Sequence, residues 1–289
     1  MPPPPRGGAL PHLGLVAAAF FFGTTFLVVK DAVEKAGPVP FLAVRFLIGA
    51  LVVLAFARRR PVVGAGGVRA GVVCGLVLLA GYVFQTVGLQ YLKSSVSAFI
   101  TYLLVLIVPL LSAAVLRRPP RPPTIVGIGL AAAGLYLLNG SRLRFGEGEL
   151  LTLGCAFCFA LHIVLLAEYA PRVDAIRLNA VQLAVVGLGC LVPGLFTGGY
   201  RFGVSVWLAA AYTGVAASAV AFGLMVWAQQ SVGPSRTALL LMLEPVFAGI
   251  AGAIAGEHLG VGGVVGAALI LAGILVAELQ RPVTIPDHA

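Results

Sequence analysis

The nine residues VGIGLAAAG (Val126–Gly134) return 139 positions later as VGAALILAG (Val265–Gly273), with five identities. Two further matches have nearly the same offset, 137 and 140: AVRF (Ala43–Phe46) with AVQL (Ala180–Leu183), and Ala98 with Ala238. Each match alone is weak in so apolar a chain, but the three agree in their offset. Their agreement indicates that one structural unit has been duplicated.

The composition is that of an integral membrane protein. Of the 289 residues, 60% are hydrophobic and only 10% are charged, whereas soluble domains carry about 25% charged residues. A membrane-spanning helix needs about 20 apolar residues. The chain divides into ten such segments, at residues 13–30, 39–57, 70–90, 96–116, 123–139, 149–167, 178–197, 205–227, 237–256 and 261–279.

The repeat and the span count together predict the architecture. Each copy holds five spans, and five is odd, so the second copy must enter the membrane from the opposite side. We therefore expect an all-α integral membrane protein of ten transmembrane helices in two inverted repeats, an architecture suited to alternating access around a midplane site. The expected parts are a cytoplasmic leader (1–12), the first repeat (13–139), an external linker (140–148), the second repeat (149–279) and a cytoplasmic tail (280–289).

The distribution of basic residues sets the orientation, because cytoplasmic loops are enriched in lysine and arginine. A cytoplasmic N-terminus places twelve basic residues inside and six outside. The inner ones are Arg6, Arg58, Arg59, Arg60, Arg69, Arg117, Arg118, Arg121, Arg172, Arg177, Arg236 and Arg281. We therefore predict a multi-pass protein of the inner (plasma) membrane with both termini in the cytoplasm. This bias accounts for much of the net charge of +9. The positive charge therefore does not imply nucleic acid as a partner.

Several segments resemble one transporter family. They are FFFGTTF (residues 20–26), AVRFLIGAL (43–51), FITYLLVLIVPLLSA (99–113), FCFALHIVLL (157–166), ALLLMLEPVFAGIAG (238–252) with the following GEHL, and VGAALILAG (265–273). From about Leu13 to Glu278 the chain resembles the EamA branch of the drug/metabolite transporter (DMT) superfamily. The resemblance implies a secondary transporter, often an exporter of amino acids, metabolites or drugs, with a cavity among spans 1, 3, 4, 6, 8 and 9. Where the family often has Trp, this chain has Phe22, which keeps a ring but lacks the indole N–H.

The stretch LLLMLEPVF (Leu239–Phe247) places a carboxylate within the ninth span. A charged side chain at that depth costs at least ~2.5–3.5 kcal/mol unless water, a partner or a proton relieves it. Pro245 leaves the carbonyl of Leu241 without its helical donor, and such a break is tolerated where it faces protein or a water-filled cavity. Glu244 is therefore predicted to lie in the substrate pathway and to bind a cationic or zwitterionic substrate or a coupling proton. The alternative is a protonated glutamate at a structural kink.

Other polar and aromatic side chains inside the spans are lesser candidates. Arg45 is either a structural clamp or a gating pair, and the resemblance does not place its span at the cavity. His162, whose counterpart in the first repeat is Thr25, is either a cavity wall or a hydrogen-bonded core group. Gln85, Ser218, Tyr82 and its counterpart Phe222 complete the candidate substrate site, although hydrogen bonds between helices and packing would also explain them.

Competing functions lack their signatures. An intramembrane enzyme with a metal–diphosphate site needs clustered aspartates, but Asp31, Asp174 and Asp287 are far apart. No His-Glu-x-x-His or Walker motif is present, and CAFC (Cys155–Cys158) fits two small apolar residues on one helix face. A receptor or scaffold usually carries a soluble module, and no break between spans could hold one. We expect a small-molecule substrate, surrounding lipid, protons as a possible coupling ion and a possible homodimer, with no catalytic residue, metal or cofactor.

Overall fold

The computed structural model describes residues 8–57, 65–92, 97, 100–117, 119–138, 146–254 and 260–278. Within these ranges the chain is helical and contains no β-strand, which confirms the predicted all-α class. Several sequence expectations fall on residues outside this description. They concern most of the leader, Ala98, the charged loop at residues 58–60, most of the external linker, the GEHL segment and the tail.

A helix lies at the position of each predicted span. The helices are α1 Ala9–Ala36, α2 Pro38–Ala57, α3 Ala65–Gly88, α4 Leu104–Leu116, α5 Pro122–Leu138, α6 Glu147–Tyr169, α7 Ala175–Phe196, α8 Val204–Ala228, α9 Pro234–Leu241, α10 Leu243–Ile254 and α11 Val261–Glu278. A helical turn at residues 100–102 precedes α4, and α9 and α10 together occupy the ninth predicted span. In the described part of the chain, five helices are long and apolar enough to cross a membrane, and four shorter helices are also apolar.

Local sequence explains where helices begin and end. Gly37 alone separates α1 from α2: its φ of 74° turns the chain, and its N–H donates to Val33 O at 3.0 Å. Glycine adopts such an angle without strain, and Pro38 then occupies the first position of α2, where no N–H is needed. Asp174 caps α7 by accepting the Arg177 N–H at 3.0 Å.

Small residues allow the helices to approach one another closely. The α5–α11 pair and the α2–α7 pair are the most extensively packed in the bundle, and α3 packs against both α6 and α7. On α5, a Cβ at Gly134 would lie 2.5 Å from Gly266 O, and on α11 one at Gly273 would lie 2.5 Å from Gly127 O. Only glycine fits at such contacts, which bring the two backbones together.

The outer surface of the bundle is strongly apolar. Phe196 is 83% exposed, Phe56 74% and Leu110 71%, and many other leucines and valines face outward. Soluble proteins rarely expose apolar surface on this scale, whereas lipid chains cover it without cost. Buried residues from both halves of the chain form the main hydrophobic core. The fold is therefore that of a multi-pass membrane protein.

Two helices near the centre are irregular. The ninth span breaks at Met242, whose N–H donates to Leu239 O at 3.1 Å in a tight turn. The break lies just before Glu244 and Pro245, where the missing proline N–H leaves Leu241 O without a partner from its own helix. In α8, residues Gly214–Ala221 form a π-helical segment, a geometry that is rare and frequently found at functional sites.

Candidate substrate cavity

A cavity of about 120 Å³ lies between the helices. This volume holds several water molecules, since one needs roughly 10–15 Å³ by the same measure. Its walls are mostly apolar and aromatic, with a few polar groups. The lining residues are Phe22, Thr25, Val29, Leu42, Arg45, Leu78, Tyr82, Gln85, Thr86, Leu89, Thr101, Tyr102, Leu104, Phe159, His162, Ile163, Phe222, Met225, Leu241 and Glu244.

Glu244 is the acidic side chain of this cavity. It is half-buried and belongs to the first turn of α10, where the partial positive charge of a helix N-terminus favours a carboxylate. The Tyr102 hydroxyl is placed to interact with its carboxyl group, and the Arg45 guanidinium acts on it electrostatically. A Cβ at Gly23 of α1 would lie 2.6 Å from the Glu244 backbone oxygen, so α1 packs directly against the break.

Arg45 is 4% exposed and is held by groups from two other helices. Its Nε donates to Ser218 Oγ of α8 at 3.2 Å, and the guanidinium lies 5.6 Å from the centre of the Tyr82 ring of α3. Together with Leu42, Arg45 forms part of the cavity wall. This differs from the arrangement that the family resemblance implied, in which the second span stands outside the cavity. The difference arises because α2 turns the face that carries Leu42 and Arg45 toward the cavity.

His162 is joined to a chain of buried amides behind the cavity. Its Nε2 lies 2.9 Å from Gln182 Oε1, and Gln182 Nε2 donates to Asn179 Oδ1 at 2.9 Å. Asn179 Nδ2 in turn donates to the backbone oxygen of Ala219 at 3.3 Å. All three side chains are at most 2% exposed. The chain connects α6, α7 and the π-helical segment of α8.

Four aromatic rings surround the polar groups. Tyr82 meets Phe159 edge-to-face at 5.1 Å between ring centres, and Phe22 meets Phe222 in the same way at 5.0 Å. Tyr82 and Phe222 connect the two pairs, because their rings also meet edge-to-face with 6.4 Å between the ring centres. The π-faces of such rings attract organic cations.

Seven of the eight predicted site residues line this one cavity: Glu244, His162, Gln85, Thr25, Tyr82, Phe222 and Arg45. Thr25 donates its hydroxyl to Phe21 O and Phe22 O of its own helix, both at 2.9 Å. Ser218 is fully buried behind Arg45 and is not part of the lining.

Sequence reasoning missed Tyr102, Thr101 and Phe159. The repeat held a signal for Tyr102, because an offset of 140 places Glu244 over Leu104, two residues beyond this tyrosine. Thr101 is its neighbour, and Phe159 is the counterpart of Phe22 at an offset of 137.

Comparison with known proteins agrees with this fold. The model of the EamA-like transporter family matches residues 10–140 and again residues 146–279. An uncharacterized transporter of Archaeoglobus fulgidus is 32% identical over 270 residues, which cover 93% of this chain and 85% of that protein. The uncharacterized transporter YyaM of Bacillus subtilis is 25% identical, over 92% of this chain and 93% of its own length.

A solved structure, titled only as the crystal structure of a protein, superposes with a TM-score of 0.78 and 23% identity. The match covers 92% of this chain and 96% of that one, and it shows that the two share a fold. The family matches and the relatives' names indicate a transporter and not an enzyme. The predicted family is thereby confirmed: the chain belongs to the EamA-like transporter family, within the DMT superfamily, and is a multi-pass membrane transporter.

Proposed function

We propose that this protein is a secondary transporter that exports a small cationic or zwitterionic organic molecule across the plasma membrane by alternating access. The observation that carries the proposal is Glu244, a half-buried carboxyl at a helix break that faces a cavity with aromatic walls. Burying a carboxylate is costly, and the Tyr102 hydroxyl, the helix start and the cavity offset that cost. Such an arrangement suits a group that binds and releases a positive charge.

Contacts between repeat counterparts support the inverted-repeat architecture of this proposal. A two-fold relation requires that a contact between two residues recurs between their counterparts. The Gly127–Gly273 contact recurs as Gly266–Gly134, with 139 residues between counterparts. The Tyr82–Phe159 ring pair recurs as Phe222–Phe22. The family model likewise matches each half of the chain separately.

Departures from that symmetry support a state that faces outward. Near one end of the bundle the cavity is lined by Val29, Thr86 and Leu89. Their counterparts in the other half, Leu166, Val226 and Gln229, do not line it. With both termini in the cytoplasm, the end that the cavity reaches is the external one.

Hydrogen bonds at the opposite end support the same assignment. Gln229, directly after α8, donates its Nε2 hydrogen to Ile163 O of α6 at 2.8 Å, and Gln230 Nε2 donates to Ala170 O at 3.2 Å. These contacts join α6 and α8 on the cytoplasmic side. Opening the cavity inward requires α6 and α8, both in the second repeat, to move apart at this end and so breaks these bonds.

Glu244 also suggests the coupling ion. One carboxylate can hold either a proton or a cationic group of the substrate, and the two then compete. On the external side the carboxylate releases substrate and takes up a proton, and on the cytoplasmic side it releases the proton and binds substrate. This cycle is proton-coupled antiport. This is the simplest mechanism in which one acidic residue accounts for both binding and energy coupling.

Transport into proteoliposomes tests the proposal. Labelled amino acids and permanently charged organic cations are offered with and without a pH gradient, and at least one should be driven by the gradient. Glu244→Gln keeps the shape and removes the charge, so it should fold normally yet lose transport or its pH dependence. Glu34→Gln, at an exposed glutamate near the end of α1, is the matched control and should transport normally. Parental transport by Glu244→Gln from about pH 5 to about pH 8 would make Glu244 structural and refute the proposed site.

A further inference from the structure

The hydrogen bonds behind His162 can run in only one direction. The backbone oxygen of Ala219 accepts and cannot donate, so the Asn179 amide must present its NH₂ group there. Asn179 Oδ1 is therefore left to accept from the NH₂ group of Gln182, which turns Gln182 Oε1 toward His162. An amide oxygen only accepts, so His162 Nε2 must carry a hydrogen.

This direction determines what His162 offers to the cavity. With the hydrogen on Nε2, the other ring nitrogen, Nδ1, is an acceptor in the neutral imidazole. The neutral ring is favoured because its direct contacts are an amide oxygen and the edge-to-face ring of Phe222, neither of which compensates a buried charge. His162 is itself part of the cavity lining.

We propose that the Asn179–Gln182 amide chain makes His162 a specificity-determining acceptor, which selects substrates bearing an N–H donor. Resting on the proposed function, this narrows the substrate to a protonated primary or secondary amine. Glu244 supplies the negative charge, His162 Nδ1 accepts one N–H, and the aromatic rings face the apolar part of the molecule. A quaternary ammonium has the charge but no N–H, so it leaves Nδ1 unmatched.

Nitrogen-15 NMR of the histidine side chains tests the acceptor directly and needs no ligand. The chain has four histidines, and a His162→Gln spectrum identifies the signal of His162. At neutral pH we expect a protonated Nε2 and an unprotonated Nδ1. Gln182→Leu removes the acceptor and should abolish the strong preference for this tautomer. A hydrogen on Nδ1, or a doubly protonated ring, in the parent protein would overturn the inference.

Binding of two matched probes to the purified protein tests the selectivity. The probes are 2-phenylethylammonium and its N,N,N-trimethyl derivative, which share the ring and the charge; in the derivative three methyl groups replace the three N–H donors. A hydrogen bond to a charged donor should favour the first by about tenfold. His162→Phe and Gln182→Leu should each remove that preference. Thr213→Val, which deletes a buried hydroxyl within α8, is the control and should retain it.

The outcomes separate this inference from the proposed function. If Glu244→Gln weakens both probes while the His162 and Gln182 variants keep the preference, the selectivity is wrong and the proposed site stands. If Glu244→Gln binds both probes as the parent does, the proposed site itself is wrong. If His162→Phe fails to fold, the Gln182→Leu variant and the NMR tautomer still decide the matter.

Discussion

Glu244 and Tyr102 come from different halves of the chain and meet in the cavity. The Tyr102 hydroxyl, the N-terminal turn of α10 and a cavity large enough to hold water together relieve a carboxyl group that lipid would not tolerate. A hydrogen bond between a neutral donor and a charged acceptor contributes about 1.5–3 kcal/mol. Tyr102 therefore orients the carboxyl group. The residues next to it in the sequence give no sign of this role.

Replacing Tyr102 by phenylalanine should weaken binding of the cationic probe by about tenfold. The ring keeps its packing, but the carboxyl group loses the donor that holds it toward the cavity. Titration of 2-phenylethylammonium against purified Tyr102→Phe measures the change, and thermal unfolding checks that the variant folds. Tyr212→Phe, at a 48% exposed tyrosine of α8, should bind as the parent does. Unchanged affinity in Tyr102→Phe would separate Tyr102 from the site.

The helices α5 and α11 show how small residues build a contact between elements. Glycines of the two helices face each other within the same chain, and neither helix supplies a residue to the cavity. The small-residue faces of these two helices therefore pack against each other within the chain. In lipid, where apolar contacts between helices gain little over contacts with acyl chains, close packing of backbones stabilises such a pair.

Adding one methyl group at this contact should be destabilising. Gly134→Ala places a Cβ 2.5 Å from Gly266 O and 2.8 Å from Ile270 N, so the backbones must separate at a cost of about 1–3 kcal/mol. Gly129→Ala is the control on the same helix: its Cβ meets nothing within 4 Å, and alanine is the better helix former. Thermal unfolding in detergent should show a lower midpoint for Gly134→Ala only. Gly134→Leu and Gly273→Leu should damage folding further without changing substrate preference in the protein that survives.

At the level of the complete bundle, the two halves are related by contacts that recur between counterparts, while the cavity departs from that relation. Three residues line the cavity at one end of the bundle, whereas their three counterparts at the other end do not. An alternating-access protein of inverted repeats is expected to differ in this way in any one state, because the two halves exchange conformations when the cavity changes sides.

Labelling of an introduced cysteine tests the orientation of the whole molecule. In a variant without Cys74, Cys155, Cys158 and Cys190, a cysteine at Ser141, in the linker outside the described residues, should react with an impermeant reagent in intact cells. The excess of basic residues on the opposite side is the physical reason. A thiol protected in cells but reactive in inside-out vesicles would reverse the orientation and contradict the inverted repeat.

The same cysteine-free background tests the outward-facing state. A cysteine at Leu89 should react from outside, whereas one at Val226, a buried position at the opposite end, should be protected from the cytoplasmic side. Gln229→Leu removes the hydrogen bond to Ile163 O, and losing about 1 kcal/mol should shift the equilibrium about fivefold toward the inward-facing state. Reduced labelling at Leu89 in that variant measures the shift. Equal labelling of the cysteine at position 89 with and without Gln229→Leu would show that this hydrogen bond does not stabilise the outward-facing state.

Much of the fold and part of the site follow from the sequence alone. Lipid leaves a chain few structures other than helices, so apolar segments of about 20 residues indicated where each helix lies. The bounds were less exact: α1 continues to Ala36, and the ninth predicted span is divided into α9 and α10. A repeat offset near 139 paired counterparts that do make equivalent contacts. Glu244 stood out because a carboxyl group inside an apolar run is costly, and Pro245 marked the break beside it.

Only the tertiary structure decided which polar groups meet. Tyr102 lies 142 positions from Glu244, and Gln182 lies 20 from His162, so neither partnership is visible in local periodicity. Arg45 reaches the cavity from a helix expected outside it, while Ser218, expected in the wall, lies behind Arg45 and bonds to it. Hydropathy reports that a side chain is inside the bundle. The direction in which that side chain points depends on how helices distant in sequence are rotated and packed against each other.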